Sequence, residues 1–297
     1  RECGDRLHRL RPRRPLPVHR CLSRLTMTMP TTLVFDIETI PDVAGIRSLH
    51  GLPADLGDEE VAEYAFQLRR AASGTDFLPH HLQRVVTISC ALRDASQFRV
   101  FSLSEPDCQE GQIIQRFFDG IERFTPQLVS WNGGGFDLPV LHYRGMLHGV
   151  SAPRYWDLGD GDYVDSREFK WNNYIGRYHL RHLDLMDLLA LYQPRANAPL
   201  DDLAKLMGFP GKLGMDGSAV WKGYCDGRIA DIRDYCETDV VNTYLVFLRF
   251  QLMRGTIDRE HYEAELTFVK DTLGRLEADH WKRFLAAWPE AGLDKVI

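Results

Sequence analysis

Acidic side chains occupy three short motifs that lie far apart in the chain. Asp36 and Glu38 stand two residues apart in the first motif, Phe-Asp-Ile-Glu-Thr. Asp137 follows three glycines in the second motif, and Tyr235 and Asp239 stand four residues apart in the third. Four carboxylates and one phenol are the inventory that two-metal hydrolysis of phosphodiesters uses. Each motif also has a purely structural interpretation, so the chemistry depends on the elements that carry it.

The first motif follows an apolar run over residues 33–37, which predicts a strand buried on both faces. Side chains at i and i+2 of a strand point to the same face, so Asp36 and Glu38 project together. Adjacent carboxylates repel each other and are costly to bury alone, and a divalent cation removes both penalties. The alternative is that the strand simply emerges into solvent at this point.

The second motif joins a short strand, predicted over residues 127–131, to a helix predicted over residues 136–148. The three glycines between them permit unusual backbone angles. Asp137 therefore stands beyond the carboxyl end of a strand, where open sheets bind ligands, and we expect it to face a second cation. The alternative is an ordinary helix N-cap, with Pro139 in the first turn.

The third motif lies on the longest helical segment, predicted over residues 229–252. Positions i and i+4 share a face of a helix, so Tyr235 and Asp239 point the same way. The phenol could orient a water molecule beside the carboxylate. The alternative is a hydrogen-bonded pair in the core.

The other elements predict an α/β protein with a mixed sheet and helices packed on both faces, because strands come first and then alternate with helices. Further strands are expected over residues 85–92, 98–103 and 182–185, and further helices over residues 57–73, 111–124, 186–192 and 258–288. We expect an extension over residues 1–28, a catalytic domain over residues 29–252 and a C-terminal helical appendage over residues 253–297.

Charge is unevenly distributed along the 297 residues, whose formal net charge is −6. Residues 1–26 hold eight arginines against Glu2 and Asp5, which leaves 28 basic and 40 acidic side chains, a net −12, for the rest. We interpret residues 1–28 as an extension outside the fold, disordered or not native, with a genuine basic arm as the alternative. An acidic body disfavours broad attraction to nucleic acid but is compatible with a metal site.

Composition disfavours several other classes of protein. Hydrophobic residues make up 44% and charged residues 26% of the chain, which is typical of globular proteins. No stretch approaches the roughly 18 apolar residues of a membrane span, so we expect no membrane contact. The six cysteines include no Cys-x-x-Cys pair, which indicates reduced thiols in a cytoplasmic protein.

Taken together, the three motifs resemble those of the DEDD superfamily of 3′–5′ exonucleases, in the subclass with tyrosine in the third motif. The run Asn-Gly-Gly-Gly-Phe-Asp-Leu-Pro, from Asn132, is similar to the second motif of the proofreading exonuclease of family B DNA polymerases. The greatest similarity is to stand-alone bacterial proteins described as polymerase-B-like predicted 3′–5′ exonucleases. The resemblance covers roughly residues 31–252 and implies a ribonuclease H-like fold.

The resemblance also implies two Mg²⁺ or Mn²⁺ ions per active site. The implied metal ligands are Asp36, Glu38, Asp137 and Asp239. Asp36 would bridge the two ions, Asp137 would bind the second through water, and Tyr235 would position the nucleophile. The positions implied to lie near the terminal nucleotide are Thr39, Ile40, Asn132 and Phe136.

The implied reaction is hydrolysis of single-stranded DNA from its 3′ end, with release of nucleoside monophosphates. An exoribonuclease remains an alternative, because the same catalytic set hydrolyses RNA. A nucleic-acid-binding module without catalysis and a magnesium-dependent phosphatase are further alternatives. Residues 41–79 depart from the family pattern, and we interpret them as a surface insertion or as a wall of the site.

Overall fold

The strand that carries the first motif lies at the centre of a five-stranded sheet in the computed structural model, which describes residues 30–289. The sheet has the order β3-β2-β1-β4-β5, in which β1, β2 and β3 pair antiparallel and β1, β4 and β5 pair parallel. The strands are β1 (Thr32–Pro41), β2 (Gln83–Arg93), β3 (Phe98–Ser104), β4 (Gln127–Ser130) and β5 (His182–Asp184). This mixed α/β sheet confirms the predicted ribonuclease H-like fold. The interpretation of residues 1–28 lies outside the described residues.

Helices accompany the sheet on both faces within residues 30–289. They are α1 (Val43–His50), α2 (Asp58–Ser73), α3 (Glu110–Phe124), α4 (Asp137–Leu147), α5 (Ser166–Phe169), α6 (Leu185–Leu189), α7 (Leu200–Leu206), α8 (Val220–Cys225), α9 (Ile229–Met253), α10 (Arg259–Gly274) and α11 (Asp279–Ala287). Short 3₁₀ turns lie at His80–Leu82, Pro194–Ala196 and Gly217–Ala219. In the part of the chain that the structure describes, no helix has the length and apolar character that crossing a membrane requires.

The two faces of the sheet follow from the alternation of side chains along β1. Val34 lies in an apolar core with α7, α9, α10 and α11. Phe35 points to the other face and packs against α3, where its ring centroid lies 5.1 Å from that of Phe117. Because the period of a strand is two, Asp36 and Glu38 fall on the same face as Val34. The sequence of β1 thus directs both carboxylates towards α9.

The C-terminal helices pack onto the same face as α9. Tyr262 and Leu273 of α10, with Trp281 and Phe284 of α11, are buried in one apolar core with Val34. The expected boundary at residue 252 falls at the last turn of α9, which ends at Met253. As far as residue 289, the appendage is therefore helical and packed against the sheet layer, and its status as a separate unit stays a prediction. Residues 290–297 of the predicted appendage lie outside the described residues.

Residues between β1 and β2 form two helices around a small core of their own. Ile46 of α1 packs with Val61 and Ala65 of α2. Arg144 of α4 is buried and bonds to Asp42, just before α1, and also to Glu110 of α3. This insertion is thus fixed to the helix that begins with Asp137.

Candidate active site

Asp36 and Glu38 lie beneath α9 rather than at a strand end open to water. Glu38 is 8% exposed, and the Cys236 thiol of α9 lies 3.6 Å from Asp36 Oδ2. β1 continues past both carboxylates to Pro41. The strand therefore does not emerge into solvent here, and the two acidic side chains share a buried space with α9.

Asp137 reaches the same place from the opposite helical layer. It is the first residue of α4 and only 3% exposed, and its Oδ1 accepts a hydrogen bond from the Ile37 backbone N–H at 3.1 Å. Its carboxylate thus contacts β1 between Asp36 and Glu38, and the N-cap position of α4 belongs to Phe136. The helix N-terminus also favours a negative charge at this point.

A loop over residues 131–136, called the glycine loop below, sets the position of Asp137. Asn132 has a φ of 66°, in the left-handed region, and the Asp184 carboxylate accepts hydrogen bonds from the N–H groups of Asn132 (3.0 Å) and Gly134 (2.8 Å). A Cβ at Gly133 would lie 2.3 Å from Ser130 Oγ, so only glycine fits there. Asp184 also caps α6, and its role is therefore to support the loop.

Tyr235 and Asp239 are buried on the face of α9 that meets β1. Lys212 Nζ donates to the Tyr235 hydroxyl and lies 3.4 Å from Asp239 Oδ2. The other carboxylate oxygen, Asp239 Oδ1, is buried and has no hydrogen-bond partner among residues 30–289. A buried acceptor without a donor is costly, which indicates that a ligand belongs beside it.

Lys212 is the member of this site that sequence reasoning missed. It lies in the loop between α7 and α8, outside the three motifs that the sequence predicts to carry the chemistry. Asn242 of α9 holds this loop through bonds with the Gly211 N–H (3.1 Å) and Gly211 C=O (2.9 Å). Asn242 lies nearly one helical turn beyond Asp239, so the anchor places Lys212 beside Asp239. No periodic pattern in the sequence signals such a contact.

Mutual repulsion and burial shift the ionisation of the carboxylate cluster, defined as Asp36, Glu38, Asp137 and Asp239. Burial raises the pKa of Asp36 well above its ordinary value, and its carboxylate neighbours raise it further. Burial likewise raises the pKa values of Glu38 and Asp239. It raises the pKa of Asp137 to about 7. Glu38, Asp137 and Asp239 are buried and Asp36 is half-buried, and one lysine cannot balance these four carboxylates, so the cluster lacks positive charge.

The cluster has the chemistry of a divalent cation site. Its donors are carboxylate oxygens, the ligands that Mg²⁺ and Mn²⁺ prefer. Burial and the nearby acidic groups raise the pKa of the Cys236 thiol, which therefore stays a neutral neighbour. The unpartnered Asp239 Oδ1 and the shortage of positive charge both fit a bound cation.

The residues expected near a terminal nucleotide fall into different surroundings. Thr39 is partly buried and donates to Gln83 Oε1 at 2.9 Å. Phe136 is half-buried, and its ring lies 5.4 Å from that of Phe77 in the insertion. Asn132 lies in the glycine loop described above, at the mouth of a groove.

Ile40 differs from this group because its side chain is only 1% exposed. It packs with Val220 of α8 and Ile232 of α9. It follows Glu38 on the same face of β1, but α8 and α9 cover it. Ile40 therefore has no exposed side-chain surface to offer a nucleotide, and its contribution is to the packing beneath the site.

The mixed sheet and the carboxylate cluster define a ribonuclease H-like α/β protein. Its acidic site lies between the helical layers on the two faces of the sheet. The chain belongs to the family of predicted 3′–5′ exonucleases related to the exonuclease domain of PolB, whose model matches residues 75–288. The matched segment contains Asp137, Tyr235 and Asp239, whereas Asp36 and Glu38 precede it. A search of curated proteins gives no match to the chain.

Proposed function

We propose that this protein is a metal-dependent 3′–5′ exonuclease that removes nucleoside monophosphates from single-stranded DNA 3′ ends. The family supports the class of reaction. The observation that carries the proposal is the meeting of four carboxylates from β1, the first turn of α4 and one face of α9, with Asp239 Oδ1 left without a hydrogen-bond partner among residues 30–289. Such a cluster is costly unless cations occupy it.

In this proposal, the four carboxylates would together hold two ions. Asp36, Glu38 and Asp239 would hold the ion on the nucleophile side, and Asp137 would hold the second, with Asp36 between them. Two bound divalent ions activate the attacking water and stabilise the leaving oxygen. The polypeptide supplies rigid anchors, because Asp137 is bonded to the β1 backbone and Asp239 lies within a long helix.

Tyr235 and Lys212 act together on the reacting groups. Burial and the surrounding negative charges raise the pKa of Tyr235, which keeps its phenol protonated. Lys212 donates to the phenol oxygen, and the phenol proton is then free to orient the attacking water or a phosphate oxygen. Lys212 also brings a positive charge towards the place where the phosphate gains negative charge.

A cleavage assay with labelled strands tests this proposal. DNA and RNA oligonucleotides carrying a 5′ label are incubated with Mn²⁺ or with EDTA, using the wild type, Asp36→Asn and Asp202→Asn. We expect single-stranded DNA to shorten stepwise from its 3′ end with Mn²⁺. EDTA or Asp36→Asn abolishes the ladder, whereas Asp202→Asn, an exposed carboxylate on α7, retains it.

Other patterns would identify the alternatives. Shortening of RNA but not DNA would assign an exoribonuclease in place of a deoxyribonuclease. Tight binding of strands without any shortening would assign a binding module. Cleavage that persists unchanged in Asp36→Asn would contradict the carboxylate cluster as the catalytic site.

A further inference from the structure

A groove of about 560 Å³ lies beside the glycine loop. Asn132 and Gly134 of the loop, Pro139 of α4 and the segment 174–180 line it, and we call it the tyrosine groove. It adjoins the carboxyl ends of β4 and β5, the edge at which sheets of this kind bind ligands. The glycine loop that lines the groove leads directly into Asp137 of the carboxylate cluster.

Two tyrosines form a preformed aromatic surface in this groove. The side chain of Tyr178 is 76% exposed, and its ring meets that of Tyr192 edge-on, with centroids 5.0 Å apart. Leu191 and Tyr192 have φ values of 50° and 60°, a left-handed conformation that is strained for non-glycine residues. The Tyr192 N–H bonds to the Asp187 C=O at 2.7 Å, which holds the strained turn in place. The turn thus holds the Tyr192 ring in place, and the exposed Tyr178 ring packs against it in the groove.

Positive charge accompanies these rings. The Arg177 guanidinium lies 4.8 Å from the centre of the Tyr192 ring and 2.9 Å from Asp187 Oδ2, and half of its side chain remains exposed. Residues 166–199 contain five lysines and arginines against three acidic residues, a net +2 in a chain whose net charge is −6. Among the residues that line the groove, Arg177 lies beside the carboxylates of Asp184 and Asp187, and the excess of positive charge belongs to the flanking segment.

We propose that the tyrosine groove binds single-stranded nucleic acid beyond the reacting 3′ end, with a base stacked on Tyr178 and a phosphate facing Arg177. This inference rests on the proposed function for the class of its ligand. A flexible polyanion with flat bases matches both features, since every base has a face that can stack and every phosphate carries charge. An apolar peptide would match the rings but not the half-exposed guanidinium of Arg177.

Binding of a labelled strand to the full chain tests the groove without requiring catalysis. A fluorescein-labelled 12-nucleotide single strand is titrated in EDTA and followed by fluorescence anisotropy. We expect Tyr178→Ala to weaken binding about tenfold, the scale of one lost base–aromatic stack. Tyr178→Phe retains the ring and should bind like the wild type. Arg177→Gln should weaken binding and lower the dependence of log Kd on log salt by about 0.7.

Matched controls come from the opposite edge of the sheet. Phe101 and Arg99 are exposed on β3, which lies at the far edge from β5. Phe101→Ala and Arg99→Gln should leave the Kd unchanged. Equal losses in the control and groove variants, unchanged binding in Tyr178→Ala, or no binding of the strand by the wild type would overturn the proposal.

Cleavage by the same variants separates this inference from the proposed function. In Mn²⁺, Tyr178→Ala should raise the KM for a 12-nucleotide strand while leaving kcat nearly unchanged. If the wild type shortens DNA but Tyr178→Ala binds it normally, the groove proposal fails and the exonuclease proposal stands. If strands bind through Tyr178 but are never shortened, the exonuclease proposal fails and the groove proposal stands.

Discussion

Lys212 has a large effect on the site, although little in the sequence predicts its position there. Burial alone would lower the pKa of Lys212, but the carboxylates of Asp239, Asp36 and Glu38 raise it above its ordinary value. The lysine therefore stays charged beside the phenol of Tyr235. Its charge partly offsets the carboxylate cluster and points to where a phosphate would lie.

Replacing Lys212 tests that effect. We expect Lys212→Gln to lower kcat about 100-fold, the scale of one lost charge-stabilising donor, with a smaller change in KM. Steady-state cleavage of a labelled strand measures both constants. Lys222→Gln is the control, because Lys222 lies on α8, is 76% exposed and pairs with Asp226. A kcat equal to that of the wild type would show that Lys212 takes no part in the chemistry.

A substitution of Tyr235 can distinguish the role of the phenol from that of the metal ligands. Tyr235→Phe removes only the hydroxyl, so we expect kcat to fall about 10- to 100-fold while Mn²⁺ affinity stays nearly constant. Cleavage kinetics and a calorimetric Mn²⁺ titration on the same preparation measure the two effects. A large loss of Mn²⁺ affinity would contradict the orienting role and make the phenol a metal ligand.

At the residue scale, the sequence predicts what depends on periodicity and misses what depends on loops. The two-residue period of β1 correctly places Asp36 and Glu38 on one face of the strand. The four-residue spacing on α9 likewise places Tyr235 and Asp239 on one face of the helix. Lys212 lies in an irregular loop whose path depends on Asn242, far along the chain. Ile40 could not be predicted as buried, because α8 and α9, which cover it, come long after it in the sequence.

At the scale of elements, the glycine loop controls where α4 begins and hence where Asp137 lies. Asp184 holds that loop through two backbone N–H groups and caps α6 through the N–H of Asp187. A single side chain thus joins β5, α6 and the start of α4. Its burial raises the pKa of Asp184, although the three backbone donors lower it.

Removing this carboxylate should affect stability and catalysis together. We expect Asp184→Ala to lower the free energy of unfolding by about 1–3 kcal/mol, because a helix cap and the acceptor of two N–H groups of the glycine loop are lost. The shifted loop also displaces Asp137, so kcat falls at least tenfold at a temperature where the variant is folded. Urea unfolding and cleavage kinetics measure the two quantities.

A cap remote from the site provides the comparison for Asp184. Asp258 caps α10 through the His261 N–H at 2.9 Å. Asp258→Ala should lower the free energy of unfolding by a similar amount and leave kcat unchanged. If both variants lose stability but neither loses activity, the glycine loop does not position Asp137 for catalysis.

Some helices could be predicted from their own sequence, whereas others depend on contacts with distant residues. The long amphipathic segments predicted as α3 and α9 match their helices within a residue or two. The short helix α1 was not predicted, because eight residues containing Gly45 carry a weak helical signal. Ile46 of α1 is buried against α2, and this packing stabilises a helix that its own sequence does not specify.

At the scale of the whole molecule, an ionic contact joins the C-terminal helices to the helix of the third motif. His280 of α11 is 5% exposed, and its ring nitrogens lie 3.2 Å from Asp234 Oδ2 and 3.0 Å from Glu237 Oε2 of α9. Burial alone would lower the pKa of His280, but these two carboxylates outweigh it and raise the pKa to about 9. The imidazolium thus joins α11 to the segment that flanks Tyr235.

This contact makes stability depend on pH in a defined direction. The pKa of His280 is higher in the folded state than its unfolded value of 6.5, so its contribution is complete below about pH 6.5 and is lost as pH rises through about 9. We expect His280→Gln to lower Tm more at pH 6 than at pH 10. Thermal unfolding of both proteins over this range measures the difference, and a pH-independent difference would contradict an ionic role.

The organisation of the whole chain was only partly accessible from sequence. The order of strands and helices sufficed for a mixed sheet with helices on both faces, whereas the ribonuclease H-like class came from the resemblance of the motifs, and the family confirms it. The packing of α10 and α11 on the sheet layer was not predictable, because it depends on complementary apolar surfaces such as Phe284 and Val34 meeting in three dimensions. The family match extends to residue 288 and includes both helices.

The central claim is that the carboxylate cluster holds the catalytic cations, and anomalous diffraction from crystals soaked in Mn²⁺ tests it most directly. We predict two anomalous peaks within bonding distance of Asp36, Glu38, Asp137 and Asp239, and loss of at least one peak in Asp36→Asn. Mn²⁺ located only elsewhere on the protein, with these four carboxylates free of metal, would contradict the account.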